Sequence, residues 1–396
     1  MADFMKTNVV LVCKHKLGSA DDVLPILMEI QQRYVNVGFM FLFPDDETYE
    51  LNRKNYDLWK AIESLVPKVI VTRRKTRLGT LIVLMRLLLM LAFKRNVILK
   101  MTDIIPGHRK FMKVLKKVSD TIEVRCYLFR WPVEGVKNIN LQWKVIRRGR
   151  GNPLVKDVYD GEYEYFMSSL PLHVFEEYFG VNPPVEKMIK VGYTHRMPQW
   201  RNFLIRAAGE SSVVNSQPYC LYILQTLGKR IEVLNEPLLQ EVFEETLTVL
   251  KKYSGEIRTV FKPHAASELN LLEESLRRTG FKNYTIDFGH AMVLASGAKF
   301  VISYVYSTTM IDAFYLGKPI VEYSAIDPEL LSLYENRSVA GRCCDFFIYR
   351  DPRKLDDVLC RLMGNEISVD RSPKFIEDNF PETPPAFFEF WDRHLK

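Results

Sequence analysis

Phe300–Tyr323 reads FVISYVYSTTMIDAFYLGKPIVEY. The run predicts a buried strand over Phe300–Ser303, a short turn, the triplet Ser307-Thr308-Thr309, a short helix, Gly317-Lys318-Pro319 and a second buried strand over Ile320–Tyr323. A helix start carries unpaired N–H groups and a partial positive charge, which suits a phosphate. The triplet places hydroxyl and amide donors at that start. One Ser or Thr suffices for an N-cap, and three exceed what a cap needs. Upstream, Lys262-Pro263-His264 closes another strand, Ile257–Phe261. Lysine, and histidine in either protonation state, can donate to a phosphate oxygen, and a protonated histidine can stabilise charge on a departing phosphate. A strand-end histidine without a ligand is the plainer alternative. Together the two clusters suggest a chain that holds a nucleotide mono- or diphosphate and transfers what is attached to it. Glu322, read as the end of the second strand, offers an acceptor for ribose hydroxyls or a solvated carboxylate.

Outward from this stretch, short apolar strands alternate with helix-length segments, the pattern of an α/β fold with parallel sheets. In the first half, strands are expected at Val9–Cys13, Gly38–Phe43, Lys68–Val71, Asn96–Lys100 and Ile122–Cys126. Helices are expected at Ala20–Tyr34, Tyr49–Leu65, Leu78–Phe93 and Gly107–Val118, with Tyr163–Ser168 and Met188–Gly192 closing that half. The alternation restarts with strands Tyr219–Gln225, Ile257–Phe261 and Tyr284–Phe288. Between them lie a helix at Leu238–Tyr253 and one capped by Ser267 and stopped by Gly280. Lys354–Met363 is a further helix, and the aromatic tail Phe375–Trp391 is expected to pack back across the molecule. The polar stretch Arg201–Pro218 reads as a linker. The expected division is residues 1–205, 206–370 and a helical tail over 371–396. Two doubly wound, Rossmann-like domains would then face an interdomain cleft, with ligands beyond the carboxyl ends of the strands.

The chain has 396 residues, 47% hydrophobic and 26% charged, enough for two cores and unlike a disordered composition. The net charge of +7 suits an anionic partner or a mildly basic globular protein. Six cysteines include no CxxC pair, and three sit in apolar strand-like runs, which points to free thiols in a reducing compartment. No h-region follows Met1, so a cytoplasmic location is expected. The longest apolar run, Thr80–Phe93, falls short of the roughly 20 residues a bilayer span needs. It is flanked by RRKTR and KR. The segment Arg73–Lys100 therefore reads either as a basic, apolar surface for the anionic inner face of the cytoplasmic membrane or as a buried helix with solvated ends. GxGxxG and GxxxxGK[ST] are absent. The basic run Lys144–Asn152 lacks interleaved aromatics and reads as a loop, so nucleic acid is not an expected partner.

The KPH cluster and SYVYSTTMIDAFYLGKPIVEYSAID resemble the nucleotide-binding half of GT-B glycosyltransferases. The likeness is to the CDP-glycerol glycerophosphotransferase group and to bacterial sialyl- and Kdo-type capsule transferases. It covers roughly Tyr219–Asp327. In this chain the proline precedes the histidine, and the usual Ser-Ser is Ser307-Thr308. The resemblance implies that His264 stabilises the leaving phosphate, that Ser307, Thr308 and Thr309 bind its oxygens beside Lys262, and that no metal or cofactor is needed. The donor would be a CMP-, CDP- or UDP-linked sugar, an ulosonic acid among the options, and the acceptor a surface glycan or a lipid-linked glycan. Glycerol- or polyol-phosphate transfer from a CDP donor, a same-fold sugar-nucleotide epimerase or hydrolase, and a non-catalytic relative are the alternatives. An inverting transfer also needs a base for the acceptor hydroxyl. The loop KHKLGSADD offers His15, Asp21 and Asp22, although acidic residues also favour a first helical turn. Asp103 and Asp160-Gly161-Glu162 are rivals. Asp45-Asp46, in PDDE, reads as the lead-in to a helix.

Overall fold

The structure, a computed structural model, describes residues 7–13, 18–65, 68–72, 76–101, 108–128, 132, 164–179, 184–225, 236–265, 267–326 and 328–395. The chain divides into two compact units. Among the described residues, unit 1 takes those up to 128, those from 164 to 203, and the C-terminal segment from Pro381; unit 2 takes 132 and 204 to 380.

Unit 1 is built on seven strands: β1 Thr7–Val12, β2 Val37–Phe43, β3 Lys68–Val71, β4 Arg95–Lys100, β5 Asp120–Tyr127, β6 Tyr165–Ser168 and β7 Met188–Lys190. Their order is β3-β2-β1-β4-β5-β6-β7, and every neighbouring pair is parallel. A parallel sheet covered on both faces needs strands that are apolar throughout, and β1 and β2 (TNVVLV and VGFMFLF) are buried along their whole length. A polar pair fixes the register. Asn8 donates to Asn96 Oδ1 at 3.0 Å across the β1–β4 pair, and Asn96 donates on to Thr121 Oγ1 of β5 at 3.2 Å. Its helices are α1 Gly18–Arg33, α2 Asp46–Lys54, α3 Tyr56–Leu65, α4 Arg77–Leu91, α5 His108–Val118 and α6 Leu172–Phe179. Asp45 is the N-cap of α2, accepting from Thr48 N at 2.8 Å, so Asp45-Asp46 does lead into a helix. The single helix expected over Tyr49–Leu65 is two. Asn55 leaves the helical conformation and its Oδ1 accepts from Leu58 N at 3.1 Å, restarting the chain as α3.

The stretch expected as a linker from Arg201 begins inside a helix, α7 Pro198–Glu210, and the boundary between the units falls within it, after Phe203. Trp200, on its first turn, is wholly buried and stacks on Phe203.

Unit 2 has six strands: β8 Tyr219–Ile223, β9 Arg258–Lys262, β10 Tyr284–Ile286, β11 Ala298–Tyr304, β12 Ile320–Ser324 and β13 Phe346–Tyr349. The order β10-β9-β8-β11-β12-β13 is parallel throughout. Numbered within the unit it is 3-2-1-4-5-6, the doubly wound order, and unit 1 follows it too with one strand added. Helices α8 Glu236–Lys252, α9 Leu269–Thr279, α10 Ala291–Gly297, α11 Thr308–Tyr315, α12 Pro328–Leu333, α13 Pro352–Met363, α14 Pro373–Asn379 and, back in unit 1, α15 Pro385–Leu395 complete the chain. α9 ends as its sequence predicts, on Gly280 at φ 65, but its N-cap is Glu268 rather than Ser267. Tyr222, Phe243, Phe261 and Tyr304 form an aromatic cluster in the unit 2 core.

Candidate functional site

In a doubly wound sheet the first and fourth strands diverge at the switch point, and their carboxyl ends leave a crevice. Here those strands are β8 and β11. The two clusters singled out in the sequence lie at this edge, and the structure ties them together through β8. β9 ends at Lys262, whose carbonyl accepts from Leu224 N at 3.0 Å just beyond β8. Pro263 is buried, and His264 after it is exposed. The His264 carbonyl accepts from Ser267 N at 2.8 Å, and Ser267 Oγ donates to the Gln225 carbonyl at 3.4 Å. Gln225 Nε2 in turn donates to the Tyr306 carbonyl, immediately before Ser307. The KPH turn and the Ser-Thr-Thr helix start are thereby held on one strand edge.

Ser307 is the N-cap of α11. Its Oγ accepts from Thr309 N at 3.3 Å and lies 2.8 Å from Thr309 Oγ1, while its carbonyl accepts from Met310 N at 3.1 Å. The plain capping role is therefore filled by Ser307. Thr308 and Thr309 are half-buried on the first turn of a helix whose next five residues are buried.

Between β11 and this cap lies Val305, wholly buried and at φ 60. A β-branched residue in the left-handed region is strained, and such strain concentrates where a backbone is held for function. Ser303 Oγ donates to the Val305 carbonyl at 2.5 Å, and Val305 N donates to Tyr323 O at 3.3 Å, which holds the kink. The kink re-aims the chain from β11 into α11. Gln225 and Val305 were not singled out in the sequence, and no residue pattern there marks either.

A third group at the carboxyl ends follows β10. His290 is buried and caps α10, its Nδ1 accepting from Met292 N at 3.2 Å. That bond requires Nδ1 without a proton, so a neutral His290 carries its hydrogen on Nε2.

Glu322 does not lie at a strand end. It is the central residue of β12, paired in register with Ser303, wholly buried, and its Oε2 accepts from Ser338 Oγ. Burial pushes its carboxyl up to about 7, against a lowering by the Ser338 hydroxyl. A folded value above the ordinary 4.5 means that the folded chain holds this proton more tightly than the unfolded chain does. The stabilisation is therefore full below about 4.5 and lost as the pH rises through about 7. Glu322→Gln keeps an acceptor for Ser338 and removes the ionisation. Its stability relative to wild type is expected to rise by about 2–3 kcal/mol between roughly pH 5 and pH 8. Urea unfolding at the two pH values reads this; a difference that stays constant with pH contradicts it.

In unit 1, Asp21 lies in the first turn of α1, after β1, with Asp22 next to it, and both are buried. Asp21 Oδ1 is 3.5 Å from Nε2 of His195, a wholly buried histidine on the turn Thr194–Arg196 whose ring lies against Tyr193 and Trp200. His195 was not singled out in the sequence, because 174 residues of chain separate the partners. His15, Asp103 and Asp160–Glu162 lie outside the described residues, as does the basic run Lys144–Asn152. Among the described residues no group of three or more His, Cys, Asp or Glu side chains is arranged to hold a metal ion. All six cysteines are free, and burial pushes the Cys126 and Cys220 thiols up to about 12.

No protein-family model matches the sequence, and no curated protein matches it. Solved structures do. A UDP-GlcNAc 2-epimerase from Methanocaldococcus jannaschii, in complex with UDP-GlcNAc and UDP, superposes with a TM-score of 0.51 at 14% identity, covering 98% of each chain. A UGT transferase from Siraitia grosvenorii, in complex with UDP, superposes with a TM-score of 0.51 at 12% identity over 99% of this chain and 100% of that one. A UGT from Glycyrrhiza uralensis, complexed with glycyrrhetinic acid 3-O-monoglucuronide, gives 0.50 at 10% identity over 94% and 89%. At such identities the likeness speaks for architecture alone: the chain has the two-domain α/β fold, GT-B, that these transferases and epimerases share.

Proposed function

We propose that the chain is a nucleotide-sugar enzyme, and in the first place a glycosyltransferase, with the nucleotide held at the carboxyl edge of unit 2. The observation that supports this most is the chain of contacts from His264 through Ser267 and Gln225 to Tyr306, which sets the KPH turn and the α11 start on one edge. Lys262, Thr308 and Thr309 donate to phosphate oxygens, with Ser307 shaping the turn they sit on. His264, exposed beside them, stabilises the charge that develops on the departing phosphate. In the transfer, the acceptor oxygen bonds to the anomeric carbon, the bond from that carbon to phosphate breaks, and the nucleotide leaves with the electron pair. The acceptor proton goes to a base, for which Asp21, Asp22 and His15 are the candidates. Asp21 has the buried His195 3.5 Å away. Metal plays no part in this scheme. Glu322, buried and engaged by Ser338, is assigned to the strand rather than to ribose.

UDP in two of the similar structures favours a UDP-linked donor, with CMP- and CDP-linked donors as alternatives. The CDP-glycerol and sialyl- or Kdo-type likeness rests on the sequence motifs. A surface or lipid-linked glycan is the acceptor that this likeness suggests. The second reading is a sugar-nucleotide epimerase, which the Methanocaldococcus structure favours. The two differ in one respect. A transferase releases free nucleotide in proportion to added acceptor, whereas an epimerase converts the donor without one. Incubation with UDP-, CMP- and CDP-linked donors, with and without a glycan acceptor, followed by chromatography of the nucleotides, is expected to show acceptor-dependent release. Conversion of the donor alone supports the epimerase, and neither release nor conversion contradicts both.

A further inference from the structure

α4 is apolar on two faces. Its inner face is buried: Leu87 and Leu91 join Val10, Met40 and Ile98 in one core, and Met112 and Leu115 of α5 join the same core. The two helices thus cover one face of the sheet side by side. The reading of α4 as a buried helix with solvated ends holds for this inner face only. Leu78, Leu81, Ile82, Met85 and Leu89 recur at helical spacing and are 46–73% exposed. Phe93, just past the helix end, is 91% exposed and stands at φ 61, a conformation that an aromatic residue rarely adopts. The stripe runs for about 16 Å along the helix. Contiguous exposed apolar surface of this kind marks an interaction site.

The charge around the stripe identifies the partner. Neither α4 nor α5 contains a carboxylate. α5 presents Lys110, Lys113 and Lys117 on its exposed side at spacings of three and four, and Arg86 flanks the stripe on α4 itself. Arg73-Arg74-Lys75 precede α4 in the sequence. Lys116 of α5 is engaged by Glu123 and Glu164, and Asp120 just past α5 by Arg95, which leaves Lys110, Lys113 and Lys117 as the exposed basic row beside the apolar strip. That combination fits the interface of an anionic bilayer, where the leucines reach the acyl boundary and the lysines the headgroups. Self-association through this face would bring two predominantly basic surfaces together, which like charge opposes. No helix among the described residues is long and apolar enough to cross a membrane, so the contact would be peripheral.

We propose that the outer face of α4 and α5 docks unit 1 on an anionic lipid surface. The proposal does not depend on the nucleotide chemistry of unit 2. Flotation with vesicles of phosphatidylcholine alone, and of phosphatidylcholine mixed equally with phosphatidylglycerol, tests it. The wild-type chain is expected to float only with the anionic vesicles. The double variant Leu81→Glu, Leu89→Glu is expected to stay at the bottom while keeping the wild-type melting temperature, since both positions are exposed. Met85→Ser with Leu89→Ser gives the same reading should the new charges disturb the helix. Lys110→Gln, Lys113→Gln and Lys117→Gln together are expected to weaken binding on the order of a hundredfold at low salt, about fivefold per lysine. Wild-type protein that ignores anionic vesicles overturns the proposal, as does flotation unchanged in the leucine or the lysine variants. A wild-type dimer that ignores vesicles and is dissociated by Leu81→Glu, Leu89→Glu would assign the face to a second copy instead.

Discussion

His264→Ala is expected to lower kcat/KM for sugar transfer by roughly a hundred- to a thousandfold while leaving the fold intact. The magnitude is that of removing one preorganised donor from the charge that develops at a transition state. The fold is expected to survive because the His264 side chain is exposed and its backbone carbonyl, which accepts from Ser267 N, is retained by alanine. Surface changes of this kind stay within about 0.5 kcal/mol of wild type. The loss is expected mainly in kcat, since the charge that His264 is proposed to stabilise is greater in the transition state than in the bound donor. Steady-state kinetics together with a melting curve read both halves. A variant with normal kcat/KM removes His264 from the chemistry. One that melts early places it in the structure.

Trp391→Ala is expected to destabilise unit 1 by about 3–5 kcal/mol, the usual cost of deleting a buried aromatic side chain and leaving its cavity. Trp391 is wholly buried on α15, with ring centroids 6.1 Å from Phe387 and 5.1 Å from Phe390. The helix is fastened to unit 1 by more than this ring. Phe390 meets Tyr165 of β6 at 5.0 Å, Tyr34 donates to Asp392 at 2.7 Å, and the Arg33 guanidinium lies 4.1 Å over the Phe388 ring. A little upstream, Tyr193 N donates to Pro381 O at 2.8 Å, and Gly192, at φ 76, lets that carbonyl approach closely. Because the chain has two units, unfolding need not be a single transition. The variant is expected to shift the transition of unit 1 and to leave nucleotide protection of unit 2 in place. Unfolding in urea, followed by limited proteolysis, distinguishes the two. A shift under 1 kcal/mol would mean that α15 contributes little to the unit 1 core.

Much of the fold was legible because parallel strands covered on both faces must be apolar throughout, and runs such as NVVLV and FMFLF declare themselves. The Ser-Thr-Thr helix start declared itself as well, through its spacing from the strand before it. Less legible were features that depend on tertiary partners. β13 is only FFIY, a strand of four residues recognisable by its pairing with β12. α7 looks like a linker because Arg201, Asn202, Arg206 and Glu210 dominate its surface, while Trp200 and Leu204 supply its buried side. Val305 carries no sign of its positive φ, since that conformation is imposed by Ser303 and Tyr323. Gln225 and His195 matter for what they reach across the chain, which local pattern does not record. Glu322 was misplaced for a simple reason: β12 runs one residue further than its apolar run suggests, to a buried Ser324. The double face of α4 was ambiguous in sequence, because an apolar helix reads the same whether one side or both are covered.

The central claim is that the carboxyl edge of unit 2 holds the phosphate of a nucleotide. Ligands that bind the folded chain raise its melting temperature by mass action. A thermal-shift series with CMP, CDP, UDP and GDP on the wild-type chain and on His264→Ala tests the claim most directly. At least one pyrimidine nucleotide is expected to raise the wild-type midpoint and to raise that of His264→Ala distinctly less. A series in which no nucleotide moves the wild type, or in which both proteins respond equally, would contradict it.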